Sequence, residues 1–557
     1  MTDDENGTAT AALDPVTLEV IRNQLEGVAE EMGTVLIRGA YSPNITERRD
    51  CSTALFDADG RMVAQAEHIP VHLGAMPEAV AAVRDREPAA GDVFVLNDPF
   101  TGGTHLPDVT LVSPLALDGD VVGFAVSRAH HADVGGMTPG SMPAGAREIY
   151  QEGLRIPPTR LVDGGERVDD AFDLIFANVR NPAERRADFE AQLAANERAE
   201  GRLRDLADEH GRERLEDAFD AVIDYSRERT TAAIRDLPDG TYEADDALEG
   251  DGVTDADLPI RATVTIDGES LAVDFAGSAD QVAGNCNAPL AVAKSAVYFA
   301  VRCVTDPEIP PNHGCYEPVS VSAPAGSILN PEPPAAVVGG NVETSQRAVD
   351  VVLAALGEAA PDRVTAGGQG TMNNLTIGNR GGKGGDVESN SAEPFTYYET
   401  IGGGFGARPD IDGMDGVQVG MTNTLNTPVE ALEAAYPLRV ERYAFRPDSG
   451  GDGRHRGGLG LERSVRVETP ATVSLLTERR RHAPAGREGG EPGAVGENLI
   501  DGEPVSAKAT VDVEAGTTVT VRTPGGGGYG DPAERDPAAR EEDRRNGKAS
   551  GDPDEEN

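Results

Sequence analysis

Leu96-Asn-Asp-Pro-Phe-Thr-Gly-Gly-Thr-His-Leu-Pro-Asp108 and Arg128-Ala-His-His-Ala-Asp-Val-Gly-Gly136 bracket two apolar runs, Val109 to Leu117 and Val121 to Ser127. Asp118-Gly119-Asp120 joins the runs. An Asp-Gly pair between segments rich in Val and Leu is a hairpin signal, because both central positions of the favoured two-residue turn need φ > 0. With Asp118-Gly119 as the turn, Leu117 faces Asp120, and counting back along both strands sets His130 opposite Pro107. His105 and Asp108 flank that point. The open end of the hairpin therefore gathers two imidazoles and a carboxylate, a transition-metal donor set. A lone strand histidine is more often a packed or solvated side chain. Here three of the nine histidines in 557 residues fall within 27 positions and fold onto one another. Neutral imidazoles beside a carboxylate suit Zn, Mn or Fe better than Ca or Mg.

Working outward, Asp14-Pro15 supplies an N-cap and first-turn proline. Leu18, Ile21, Leu25, Val28, Met32 and Val35 then recur every three or four residues, the period of one helix face. A polar stretch from Ser42 leads to a strand at 54–57, an Asp59-Gly60 turn and Met62-Val-Ala-Gln-Ala-Glu-His-Ile-Pro-Val-His72. Glu47, Asp50, His68 and His72 lie within chain reach of the hairpin site, although each taken singly reads as a surface or capping residue. Residues 182–235 read as charged helix with a buried apolar side. A second alternating hairpin turns at Asp267-Gly268, and a helix spans about 289–304. Gly402-x-Gly-x-x-Ala407 and Gly525-x-Gly-x-x-Gly530 match the dinucleotide fingerprint as strings. The helix that must follow to hold a pyrophosphate is missing from both. There is no P-loop and no Gly-x-Ser-x-Gly elbow.

The expected organisation is a metal-site domain over 14–180, a charged helical segment over 181–240 and an α/β middle domain over 241–360. A Gly-rich, β-containing domain over 361–530 and a disordered acidic tail over 531–557 complete it. The fold class is mixed α/β (α+β), with several small mixed or antiparallel sheets, packed helices and no Rossmann unit. A net charge of −47 argues against a nucleic-acid partner, since the phosphate backbone would be repelled. Only Lys294, Lys383, Lys508 and Lys548 are lysine, so 45 of the 49 basic residues are arginine. With no tryptophan and few aromatics, this balance resembles adaptation to high salt, where screening shortens to about 3 Å. Cys51, Cys286, Cys303 and Cys315 form no Cys-x-x-Cys pair and read as reduced thiols. Neither a signal peptide nor a membrane-spanning run is visible, so a cytoplasmic protein is expected.

Eight separated stretches, in order, resemble the hydantoinase B/oxoprolinase family: Ser42-Pro-Asn-Ile-Thr-Glu-Arg-Arg-Asp50, His68-Ile-Pro-Val-His-Leu-Gly-Ala-Met-Pro77, Asn97 to Asp108, His130-His-Ala-Asp-Val-Gly-Gly136, Gln151-Glu-Gly-Leu-Arg-Ile-Pro-Pro158, Asn178-Val-Arg-Asn-Pro182, Met421-Thr-Asn-Thr-Leu-Asn-Thr-Pro428 and Thr523-Pro-Gly-Gly-Gly-Gly-Tyr-Gly530. The likeness covers roughly residues 14 to 532. The length suits N-methylhydantoinase B-like members better than the longer acetone carboxylase large subunits. The resemblance implies one component of a hetero-oligomer with an ATP-using hydantoinase A-like partner. That partner phosphorylates a small cyclic amide (hydantoin, 5-oxoproline or a lactam), and this chain opens it at one divalent metal. It places metal ligands on His105, Asp108 and His130, and a fourth, acidic one on Glu47. Asp133 and Glu152 are candidates either to take a proton from the attacking water or to orient ligands. An acetone-carboxylase-like ligase and a metal-stabilised scaffold without chemistry of its own are the alternatives.

Overall fold

The computed structural model describes residues 13–67, 69–379 and 394–550; His68 lies outside them. The first helix, Pro15–Gly39, starts where Asp14 accepts the amides of Val16 and Thr17. Its buried face, Ile21, Leu25, Val28, Met32 and Leu36, is the one the periodicity selects. That face packs on the long helix Pro182–His210 and on one side of a seven-stranded antiparallel sheet. The strands are β1 (Cys51–Asp57), β2 (Met62–Glu67), β3 (Val93–Leu96), β4 (Asp108–Leu117), β5 (Asp120–His130), β6 (Thr159–Asp163) and β7 (Glu166–Arg167), in the order β2-β1-β5-β4-β3-β6-β7. The opposite face is covered by the helix Met76–Arg84 through Met76, Ala79, Val80 and Val83. A sheet covered on both sides explains why β4 reads as nearly continuous apolar sequence.

The hairpin turns at Asp118 (φ 53°) and Gly119 (φ 92°), with Leu117 opposite Asp120. The register then departs from the sequence count. Ala116 faces Val121 but Leu115 faces Gly123, so Val122 is the extra residue of a bulge. One added residue on β5 brings His130 opposite Asp108 instead of Pro107. Gly123 follows the bulge because a Cβ there would stand 2.3 Å from the Phe56 carbonyl oxygen.

The charged segment is two helices, Pro182–His210 and Arg212–Arg235, broken at Gly211 (φ 87°). A four-stranded sheet follows, containing the hairpin Asp257–Asp267 with Ser270–Asp274 and the parallel pairing of Ser270–Asp274 with Val319–Ser322. Helices Leu290–Val304 and Ser345–Ala359 share its core. Among the described residues every other strand ladder is antiparallel, and no Rossmann unit occurs. Two further small sheets enclose a C-terminal core. The chain segments interdigitate: Ile69, Val71 and Met142 share a core with Val292, Tyr398 and Leu476.

The glycine strings are packing devices. Gly404 N–H donates to the Pro524 carbonyl, Ala407 to Gly527 and Gly526 to Gly458. A Cβ on Gly404 would lie 2.1 Å from the Gly458 oxygen and the Gly526 nitrogen. The two strings are bonded to each other, backbone on backbone.

The segment after Asp531 corrects the sequence reading. Over 531–550 it is ordered, with a helix Pro537–Arg545. Arg535 forms ion pairs with Asp412 and Asp543, and Lys548 with Asp415. Composition alone points to disorder because Asp412 and Asp415 lie far away in sequence. The four cysteines are free thiols. Among the described residues no helix is long and apolar enough to cross a membrane.

Candidate metal centre

The β4–β5 pairing carries Asp108 and His130 to one end of the sheet, and the turn entering β4 brings in His105. Three atoms converge there. His105 Nε2 lies 2.9 Å from Asp108 Oδ1, His130 Nδ1 lies 3.1 Å from the same oxygen, and the two nitrogens are 3.2 Å apart. No placement of protons satisfies all three contacts. A neutral imidazole offers one N–H and one lone pair. With one facing nitrogen protonated, the other turns its lone pair on the carboxylate; with both protonated, two N–H groups oppose each other. A cation among them satisfies all three at once. The three atoms are close enough together for one cation to reach all of them at ordinary metal–ligand distances of about 2.0–2.2 Å. All three residues are buried.

The surroundings fix the carboxylate. Its second oxygen, Oδ2, accepts from Thr104 Oγ1 at 3.0 Å and lies 3.4 Å from His72 Nε2. His72 Nδ1 in turn meets Ser52 Oγ at 2.8 Å. Burial works to raise the Asp108 carboxyl. The His105 imidazole, with hydrogen bonds from His105, His130 and His72, holds it well below the usual carboxylate range.

His130 stacks on Tyr398, ring centroids 4.6 Å apart, and the Arg48 guanidinium covers that tyrosine, 4.9 Å from its centroid. Tyr398 O–H donates to Asn374 Oδ1 at 2.9 Å, and Asn374 Nδ2 to Glu343 Oε1 at 2.9 Å. Glu343 sits on a single π-turn, Gly340–Thr344, a feature often found at functional sites. Asn341 and Val342 of that turn wall the pocket beside Ile69, Val71 and Met372. Its volume is about 20 Å³, room for an ion or a water.

The remaining candidates separate by position. Glu47 is exposed at the end of the short helix Pro43–Thr46 and does not line the pocket. Asp50, three residues on, is buried and lines the pocket. Its carbonyl accepts the His130 amide at 3.0 Å. Asp133 lines no part of this pocket. Its carboxylate accepts the amides of Gly135, Gly140 and Arg180 and the Arg180 guanidinium. Glu152 is also elsewhere, accepting the amides of Val337 and Val338 just before the π-turn. Sequence reasoning missed Tyr398 and Asn341, which carry no local signal and arrive through tertiary packing.

This geometry sits within a chain whose residues 14–532 match the family model described as hydantoinase B/oxoprolinase. The chain belongs to the hydantoinase B/oxoprolinase family. It is 39% identical to 5-oxoprolinase 1 of Arabidopsis thaliana over 93% of this chain, but spans only 42% of that protein. It is 32% identical to the B-type subunit of a putative D-/L-hydantoinase from a Pseudomonas strain, covering 94% of this chain and 91% of the relative. Among solved structures it resembles the ATP-dependent caprolactamase from Pseudomonas jessenii, with a TM-score of 0.86, 31% identity and coverage of 97% and 95%. A nucleotide-free acetone carboxylase structure aligns with a TM-score of 0.85 at 19% identity, over 96% of this chain and 78% of that one, a likeness of fold alone. For this member of the hydantoinase B family, hydantoinase and oxoprolinase chemistry is the type of activity its relatives' names carry.

Proposed function

We propose that this chain is the metal-bearing B-type subunit of an ATP-dependent cyclic amidohydrolase, opening a small cyclic amide activated by a hydantoinase A-like partner. The observation that carries the reading is the His105–Asp108–His130 triangle, whose three donors converge as a divalent cation would need. Those three residues hold one divalent transition metal (Zn, Mn or Fe), and Asp50 takes the acidic position that resemblance assigned to Glu47. A metal so held supplies a Lewis acid, polarising a carbonyl or lowering the pKa of a bound water towards about 7. Thr104 and His72 orient Asp108, and Tyr398 fixes the plane of His130. Ile69, Val71, Val342 and Met372 keep water out, which strengthens every charge interaction inside. We assign Asp133 and Glu152 to positioning: Asp133 ties down the loop after His130, and Glu152 sets the residues that lead into the π-turn. The pocket volume admits an ion but not a ring, so substrate entry requires the walls to part.

A division of labour between two chains is supported by length. The chain matches 42% of a plant 5-oxoprolinase and nearly all of a bacterial B-type subunit. The glycine strings, spent on packing, offer no phosphate cradle. The test is to purify the chain alone and with its A-type partner, then measure metal content and amide-dependent ATP hydrolysis. About one transition metal per chain is expected, with turnover only in the complex. His105→Ala and Asp50→Ala should lose metal and turnover, while Glu47→Ala keeps both. ATP hydrolysis by the isolated chain, or a His105→Ala protein with unchanged metal, overturns the reading; a bicarbonate requirement would point to a ligase instead.

A further inference from the structure

A second cavity, about 630 Å³, shares no lining residue with the metal pocket but is walled by the same two chain segments. Asn341 and Val342 face the metal pocket, whereas Val349, Asp350, Leu353 and Ala354 on the helix that follows face the larger cavity. Likewise Thr422 and Thr424 line the first, and Val419 and Gly420 the second. Positions 350, 353, 354 and 357 lie on one face of that helix. At 1.5 Å per residue, Asp350 and Gly357 are about 10 Å apart along its axis.

The two ends of this wall differ in charge. At the Asp350 end stand Asp246 and Asp245. Asp246 and Asp350 both pair with Arg479, at 2.8 and 2.7 Å, and with buried Arg347. Asp245, exposed on its strand opposite Arg261, is the third acid at that end. At the Gly357 end lies Arg487. Its guanidinium occupies the space a Cβ on Gly357 would fill, 2.2 Å from Nη2, donates to the Gly357 carbonyl, and has a buried Nε without a partner. Arg363 also lines the cavity, with Nη1 bonded to the Val304 carbonyl. Between the ends the wall is apolar: Phe299, Val349, Leu353, Val364 and Val419.

An apolar trough with three acids against two paired arginines at one end, and Arg487 and Arg363 in its lining, matches a flexible zwitterion. We infer that this cavity binds a linear amino acid whose ammonium and carboxylate are separated by a short methylene chain. The identity of the ligand rests on the proposed function in its lactam form: hydrolysis of a lactam breaks its C–N bond, water adds its oxygen to the carbonyl carbon, the nitrogen takes the proton, and the ring becomes one carboxylate and one ammonium on the same chain. The ammonium lies towards Asp245, the carboxylate bonds Arg487 and Arg363, and the methylenes cover Leu353 and Val349.

Calorimetric titration of the metal-loaded chain with 6-aminohexanoate tests this, with hexanoate and hexylamine as probes lacking one charge. Saturable one-to-one binding is expected, at least tenfold weaker for each single-charge probe. Asp245→Asn, a change at an exposed strand position, should weaken 6-aminohexanoate at least tenfold, as should Arg487→Gln. His105→Ala, checked for folding by circular dichroism, should leave it unchanged. Absence of binding, or equal affinity for hexanoate, overturns the inference. Binding lost in His105→Ala but kept in Asp245→Asn also overturns it, placing the amino acid in the metal pocket while leaving the proposed function standing. Binding abolished by the A-type partner would make the cavity an interface between the two chains and overturn it too. Loss of turnover in the complex, measured separately, bears on the proposed function alone.

Discussion

Glu152 is fully buried, and its carboxyl accepts the amides of Val337 and Val338 at 2.9 and 3.0 Å. Burial pushes it up to about 8 from an ordinary value of 4.5, against the pull of those two amides. In the unfolded chain it ionises near 4.5, so between that value and about 8 the folded state holds a proton that the unfolded state has lost. Its contribution to stability is therefore complete at acid pH and disappears as pH rises through 8. Glu152→Gln keeps the accepting oxygen and removes the ionisation. Its melting temperature should draw ahead of wild type from pH 5 to about pH 8 and hold that lead above it; a gap that stays constant from pH 5 upward would mean the folded carboxyl is ionised over that range. At this scale the sequence was legible where residues are local. His105, Asp108 and His130 are brought together by a single hairpin. Asp50 and Glu47 could not be told apart, because the backbone reverses at Arg49 (φ 55°) between a helix end and the start of β1. Tyr398 lay beyond any pattern, since only the packing of a distant sheet against β5 brings it to His130.

The β4–β5 hairpin is the element that sets the site, and its two ends are separable. Asp118 and Gly119 both adopt positive φ, the conformation that favours the Asp-Gly pair. An L side chain in that region costs about 1–2 kcal/mol. A Cβ on Gly119 meets nothing within 4 Å, so Gly119→Ala carries the backbone cost alone. The variant should unfold at lower denaturant by about that amount while keeping its full metal content, because Asp108 and His130 lie at the other end of the ladder. Loss of metal would show that strain at the turn reaches the site. The hairpin was legible because turn chemistry and alternation agree. The Val122 bulge was not, since nothing in Val121-Val122-Gly123 marks which residue is left unpaired. The glycine strings show a converse case: a pattern that names a nucleotide loop in one context serves here to let backbones touch.

Across the whole molecule the fold class was legible, because helices and strands carry their own periods and turn signals. The way the segments share one core was not, because Ile69 meeting Tyr398 and Leu476 depends on no local pattern. The ordered segment over 531–550 has the same cause, its ion pairs reaching back to Asp412 and Asp415. Charge acts at this scale too. Arginines pair widely with acids, yet 96 acidic residues against 49 basic ones leave a net charge of −47. Salt then has two opposing effects. It weakens exposed pairs such as Arg167–Glu190, worth about 0–1 kcal/mol each. It also relieves repulsion among the surplus carboxylates, which lowers the stability of the compact state in dilute buffer. Buried pairs, Arg347–Glu478 and Lys508–Glu478 among them, are screened far less and contribute little to the balance. With the acids in such excess, relief of repulsion should dominate. The melting temperature should climb from dilute to molar KCl as the Debye length falls from about 30 Å at 0.01 M to about 3 Å at 1 M. Most of the rise belongs at the low end, where screening changes over the spacing of surface charges. A curve that is flat or falls across that range would show that the pairs outweigh the surplus, and that the acidity serves an interaction and not the solvent.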